Sequence, residues 1–190
     1  MFKKIGLVLL LVLVAFAGFV ATRPGDFRIT RSRTVAAPPD LVYGYVSDFH
    51  HWPEWSPWEK LDANMKKEIS GATAGPGATY YWSGNNDVGE GRMTITDAQP
   101  PKSVTIRLEF LKPFAATNTT LFDFAPRGTG TNVTWTMTGH NNFVSKAFCL
   151  FMDMDKMVGG DFEKGLANLD QATASAKPAV APAPAASPAS

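Results

Sequence analysis

Between Phe143 and Leu169 the apolar residues Ala147, Leu150, Phe151, Met154, Met157, Val158, Phe162, Leu166 and Leu169 recur at steps of three and four. That spacing puts them on one stripe of an α-helix. Asp153, Asp155, Lys156, Glu163 and Lys164 fall mostly off the stripe, so one face meets water and the other needs an apolar partner made earlier in the chain. Gly159-Gly160 interrupts this run of good helix formers. Each glycine costs about 1 kcal/mol relative to alanine, so a bend or a close backbone contact is expected there.

The partner is legible as a sheet. From Lys66 onward the period switches to two, with turn chemistry at each break. After a first strand at Phe27–Val35, strands are expected at Met65–Ile69, Thr79–Ser83, Val88–Ala98, Ser103–Phe110, Thr117–Phe124 and Thr131–Thr138. Val104, Ile106, Leu108 and Phe110 share one face of their strand, with Thr105, Arg107 and Glu109 on the other. One buried and one wet face is the antiparallel signature. Short turns at Gln99–Lys102 and Pro126–Gly130 make neighbouring strands antiparallel partners.

The stretch between the first strand and the meander is different in kind. Arg31 and Arg33 break a clean alternation in Phe27–Val35, which places that strand near an edge. Pro38-Pro39-Asp40 opens a short helix with Leu41, Val42, Tyr45, Val46 and Phe49 as its apolar face. Then comes His50-His51-Trp52-Pro53-Glu54-Trp55-Ser56-Pro57-Trp58, where two prolines forbid a continuous helix and leave a short turn of helix and a rigid loop.

The chain divides into 1–25, 26–172 and 173–190. Lys3 and Lys4 precede an uncharged apolar run from Ile5 to about Thr22, closed by Arg23 and Pro24. A membrane span needs roughly 17–25 apolar residues, which the run reaches. An uncleaved single-pass anchor is the favoured reading, and a signal peptide cut near Ala15-Phe16-Ala17 the alternative, which would give a secreted protein. Lys3 and Lys4 pull against Arg23, Arg28, Arg31 and Arg33 in setting orientation, but long domains translocate largely regardless of charge. The domain is therefore expected outside the cytoplasm, in the periplasm of a bacterium. The alanine- and proline-rich 173–190 stretch is expected to be a disordered tail. A net charge of +1 gives no field that argues for nucleic acid. Cys149 is the only cysteine, which rules out an intramolecular disulfide and is expected to serve as a small apolar residue.

Several local patterns, in order, carry a resemblance. They are Ala37-Pro38 with Val42, the Trp52–Trp58 segment, Gly89-Glu90-Gly91-Arg92-Met93, Gly130-Thr131-Asn132-Val133-Thr134-Trp135, and Phe162–Leu169. From about Phe27 to Leu169 the chain resembles the polyketide cyclase/dehydrase-like group of the SRPBCC superfamily, which are START-like proteins. The resemblance implies the α+β helix-grip fold: a seven-stranded curved antiparallel sheet wrapped around a long C-terminal helix, with two short helices after the first strand. It also implies an apolar cavity for a lipid, polyketide or other hydrophobic small molecule. The superfamily shares no catalytic motif to carry over.

On that reading the ligand-binding residues are Trp82, Met93, Ile95, Ile106, Leu108, Phe110, Phe122, Phe124, Trp135 and Met137 from the sheet, facing Phe148, Phe151 and Met152 of the long helix. Trp55 lines the mouth of the cavity or plugs it from below, and the plug is the commoner role for such a segment. Tyr80 shares the face of Trp82, so its phenol could be a lone donor inside the cavity. An enzyme of cyclase or dehydratase type would need Tyr80, Arg92, Glu90 or His51 to converge. A third reading is an envelope interaction or structural domain whose cavity is filled by its own side chains. His50, His51 and Glu54 are zinc-ligand types, but adjacent histidines diverge and Pro53 spoils the helical spacing, so no metal is expected. The sequence calls for no cofactor, shows no phosphate loop or nucleophile elbow, and does not fix an oligomeric state.

Overall fold

The computed structural model describes residues 2–176. Its elements are α1 (Phe2–Ala21), β1 (Asp26–Val35), α2 (Pro39–Ser47), a 3-10 turn (Phe49–His51), α3 (Trp52–Trp55), β2 (Lys66–Gly71), β3 (Ala78–Ser83), β4 (Glu90–Gln99), β5 (Ser103–Lys112), β6 (Ala116–Arg127), β7 (Gly130–His140), α4 (Phe143–Cys149) and α5 (Met154–Ser175). The seven strands form one antiparallel sheet in the order β1-β7-β6-β5-β4-β3-β2. Consecutive strands pair throughout the meander, and β1 returns to the far edge beside β7. The β4–β5 pairing shifts register twice, with Leu111 the extra residue in β5 opposite Glu90/Gly91 and Thr96 the extra residue in β4 between Ile95 and Asp97, and each extra residue bends its strand and deepens the curvature.

Alternation assigns the concave face. Ile29, Val35, Val133, Trp135, Met137, Phe122, Phe124, Val104, Ile106, Ile95, Tyr80 and Trp82 are all buried there. Arg31 lies opposite Trp135 and Arg33 opposite Val133, so both arginines are on the concave face as well. They do not break the alternation of β1; they belong to it, because α5 offers them carboxylates. Arg31 donates from Nε to Glu163 at 2.8 Å and from Nη2 to Asp155 at 2.9 Å. Asp170 meets Arg33 at 3.4 Å and accepts from the Ala36 amide at 2.9 Å.

The single helix expected over 143–169 is two helices. The chain turns at Leu150 and Phe151, whose amides bond back to Ala147 and Phe148. Asp153 then starts α5 afresh, its side chain accepting from the Lys156 amide at 3.0 Å. Gly159-Gly160 does not bend α5, which runs unbroken from Met154 to Ser175. Gly159 answers to the other expectation, close approach: a Cβ there would overlap the Arg31 guanidinium. Gly165 plays the same part for Trp135, whose Cζ3 would lie 2.8 Å from an added Cβ. The helix extends past the expected start of the tail, with Thr173 buried; the rest of that tail lies outside the described residues.

At the other end of the chain α1 stands clear of the domain. Its apolar window Lys3–Ala21 is almost wholly exposed, and among its described side chains only Val20 is buried. Its packing neighbour is α4. Four residues, Thr22 to Gly25, connect α1 to β1.

Candidate functional site

The concave face is roofed unevenly. The short helix α2 packs over β5, β6 and β7, the 3-10 turn over β3, and α5 over β1 and α3. Beneath this roof an aromatic cluster fills the interior. Trp135 lies flat on Phe162 with ring centroids 4.1 Å apart, Phe122 sits 4.7 Å from Trp135, and Trp52 sits 4.7 Å from Trp55. Proline at the start of α3 and the Ser56-Pro57 exit fix the path of this segment, so Trp52 and Trp55 both point down onto the sheet. The Trp52 and Trp55 N–H groups donate to the Val46 and Tyr45 carbonyls at 3.0 and 3.1 Å. Trp135 differs: its Nε1–H is buried and finds no acceptor among the described residues.

Of the residues expected to line a cavity, Trp55, Ile95, Ile106, Phe122, Phe124, Trp135, Met137, Tyr80 and Trp82 join one buried cluster, with Met93, Leu108 and Phe110 half-buried at its margin. Phe148, Phe151 and Met152 do not face the sheet. They are 55%, 79% and 37% exposed, because the break at Leu150–Asp153 swings α4 away from α5 and against α1. Trp55 is only 1% exposed, inside the same cluster.

Met93, Leu108 and Phe110 lie toward one end of the sheet. The first residues of β1, the last of β7 and the β5–β6 hairpin meet there, in the registers Phe27↔Gly139, Asn118↔Gly139, Leu108↔Asn118 and Phe110↔Ala116. This end is also where α1 delivers the chain. The helices that roof the middle of the face make their main packing elsewhere. Gly91 in β4 has no Cβ, which lets the Trp82 ring close over the strand toward Phe110, 6.0 Å away edge-on. Asn118, mostly buried here, donates to the Met137 thioether at 3.9 Å. Two open grooves, about 460 and 570 Å³, border the same end. One is lined by Phe27, Gly139 and His140 and the other by Phe27, Leu150, Phe151 and Met152; neither is lined by the aromatic interior.

Residues 26–173 match the model of the family described as polyketide cyclase / dehydrase and lipid transport. The chain belongs to that family. The cyclase/dehydrase and lipid transport family thus spans the whole sheet and almost all of α5. Among curated proteins none matches. Solved structures share the fold. A Staphylococcus aureus protein of unknown function is 13% identical with a TM-score of 0.59, covering 80% of this chain and 96% of its own. A Mesorhizobium loti protein is 16% identical with a TM-score of 0.58, covering 80% and 99%. The Aha1 dimer from Colwellia psychrerythraea is 17% identical with a TM-score of 0.56, covering 77% and 96%. At these identities the likeness speaks for the helix-grip architecture alone.

In this member of the family the polar groups weighed for acid–base work go to separate neighbours. Tyr80 does face inward with Trp82, but it donates to Glu59 at 2.5 Å, and Glu59 also accepts from Lys67 at 2.6 Å. Burial, and then the adjacent Glu59 carboxylate, push the Tyr80 phenol far above its ordinary value. Glu90 pairs with Lys112 and accepts from Tyr81, His51 pairs with Glu54 at 2.8 Å, His50 pairs with Asp48, and Arg92 is exposed. Among the described residues no three His, Cys, Asp or Glu side chains gather as a metal site. Glu59 was not singled out from the sequence. Its only signal is one carboxylate in an aromatic stretch, and proximity to Tyr80 depends on how the loop after α3 folds back.

Proposed function

We propose that the protein is a membrane-tethered binder of an apolar small molecule or lipid, with the guest's apolar part lying against Met93, Leu108, Phe110 and Met137 at the anchor end of the concave face. The uneven roof carries this reading. A continuous apolar strip leaves the filled interior, remains half-buried, and opens where no helix makes its main packing. Methionine thioethers at two of the four positions adapt to guests of different shape. The family description, which includes lipid transport, supports the same class of guest. On this reading α1 is an uncleaved anchor: twenty helical residues span about 30 Å, the thickness of the hydrocarbon core. The domain then lies outside the cytoplasm.

The test is mass spectrometry of organic extracts from the purified full-length protein and from Leu108→Trp, which fills the strip. Wild-type protein is expected to carry lipid or another apolar compound, and the variant several-fold less at an unchanged melting temperature. Extracts that are empty in several wild-type preparations would overturn the binding reading. They would favour instead a domain of the cell envelope filled by its own side chains, for which the flat stacking of Trp135 on Phe162 is the supporting observation.

A further inference from the structure

Outside α1, most of the large apolar side chains that remain exposed gather at the anchor end. Phe143, Val144 and Phe148 project from α4, Phe151 and Met152 from the turn that follows, and Phe114 from the β5–β6 hairpin, at exposures from 37% to 79%. Leu61 belongs to the same end, since its neighbour Asp62 accepts from the Asn85 amide in the β3–β4 turn. An exposed apolar patch of this kind marks a surface that meets another phase or partner. We infer that these tips are a second membrane contact, seated in the interfacial layer of the bilayer beside the anchor.

Three observations name lipid as the occupant. Phe151 and Met152 share a groove with Phe27, the second residue of β1, and α4 packs on α1, whose one buried described side chain is Val20. The link Thr22–Gly25 is four residues long and fully extended reaches at most about 14 Å, so the first residue of β1 cannot leave the lipid surface by more than that. Amphipathic elements at such a surface sink their apolar face about 5–10 Å into it, which is within the link's reach. The tips would hold the open end of the concave strip against the bilayer, so a guest could pass from lipid to the sheet without crossing water. The inference rests on the tether reading.

Single-cysteine variants of the full-length chain in a Cys149→Ser background, labelled with an environment-sensitive fluorophore and reconstituted in phosphatidylcholine vesicles, test both readings separately. Val12→Cys reports the anchor, Phe114→Cys and Phe151→Cys the tips, and Arg127→Cys the opposite end of the sheet. Nitroxide-bearing lipids are expected to quench labels at 12, 114 and 151 several-fold more than at 127. Quenching at 12 with none above the 127 level at 114 and 151 overturns the second contact while leaving the anchor standing. No quenching at any position overturns both. Quenching at 114 and 151 without 12 removes the tether and overturns the placement of the tips beside an anchor. Labels at 114 and 151 that are shielded from water but not quenched by lipid would assign the patch to a protein partner and overturn the inference.

Discussion

Arg31 meets Asp155 end-on, Nη1 to Oδ1 at 3.1 Å and Nη2 to Oδ2 at 2.9 Å, while its Nε donates to Glu163 and its remaining bonds go to the Thr30 and Asp155 carbonyls. An edge strand and the first turns of a helix more than a hundred residues later are joined through one planar side chain. The bidentate geometry is one that lysine cannot copy. The adjacent face of α5 is flattened for it at Gly159.

Gly159→Ala should therefore reveal its neighbour. In an Arg31→Met background the substitution is expected to stabilise the protein by about 1 kcal/mol, the ordinary helix gain of alanine over glycine. In the wild-type background that gain should shrink or reverse, because the new methyl displaces the guanidinium. Denaturant unfolding of the four proteins gives the coupling directly, and equal effects in both backgrounds would show that Gly159 and Arg31 act independently.

Hydrogen bonding to Arg31, then its charge, holds the Asp155 carboxyl below its ordinary value of 3.8. A carboxyl depressed by folding contributes stability that is present above its unfolded value and is lost as pH falls through the folded one. Acid unfolding of the wild type should thus carry a component below pH 3.8 that is missing in Asp155→Asn. Thermal melts across that range check it, and superimposable acid limbs would contradict the assignment.

The Tyr80 phenol is raised, and the sign is opposite. Its stabilising contribution is intact below the unfolded value of 10.0 and is lost as pH rises above it. Tyr80→Phe should cost roughly 1.5–3 kcal/mol at neutral pH, the range for a hydrogen bond to a charged group, and should flatten the alkaline limb. Near-ultraviolet titration is expected to show one tyrosine that ionises only as the protein unfolds.

Phe162→Ala removes the ring stacked on Trp135. Truncation of a buried phenylalanine costs about 3–5 kcal/mol, and unfolding by urea should show a loss in that range. Phe151→Ala, at an exposed tip, should leave the midpoint nearly unchanged.

Much of the fold was legible from periodicity. The alternation marks the inward-facing Val104 and Ile106 in 103–110 and Val133, Trp135 and Met137 in 131–138, although Thr136 on the other face is buried too, and Pro39 and Asp40 sit in the first turn of α2 as their chemistry requires. The break between α4 and α5 was not, because apolar residues continue through Leu150, Phe151 and Met152 and periodicity cannot tell a buried stripe from an exposed tip. Asp153, a good N-cap with an amide partner three residues on, was the available signal. Arg31 and Arg33 looked like faults in a strand because a charge on its inward-facing side reads as an error until its counter-charge is known, and that lies far along the chain. The site was legible in part for a related reason. Sequence shows which side chains face inward but not whether they fill the space or line it, and here Trp55, Phe122, Trp135 and Phe162 fill it.

The strand nearest the amino terminus has a single hydrogen-bonded neighbour, and that neighbour is the last strand made. Residue 26 must therefore wait for residue 140 before the sheet can close, a loop whose entropy is spent late and whose rate is correspondingly slow. A nascent chain arrested anywhere before Gly130 carries an unpaired first strand with two unsatisfied arginines. Ribosome-bound intermediates of increasing length should stay protease-sensitive at 26–35 until β7 and α5 have both emerged.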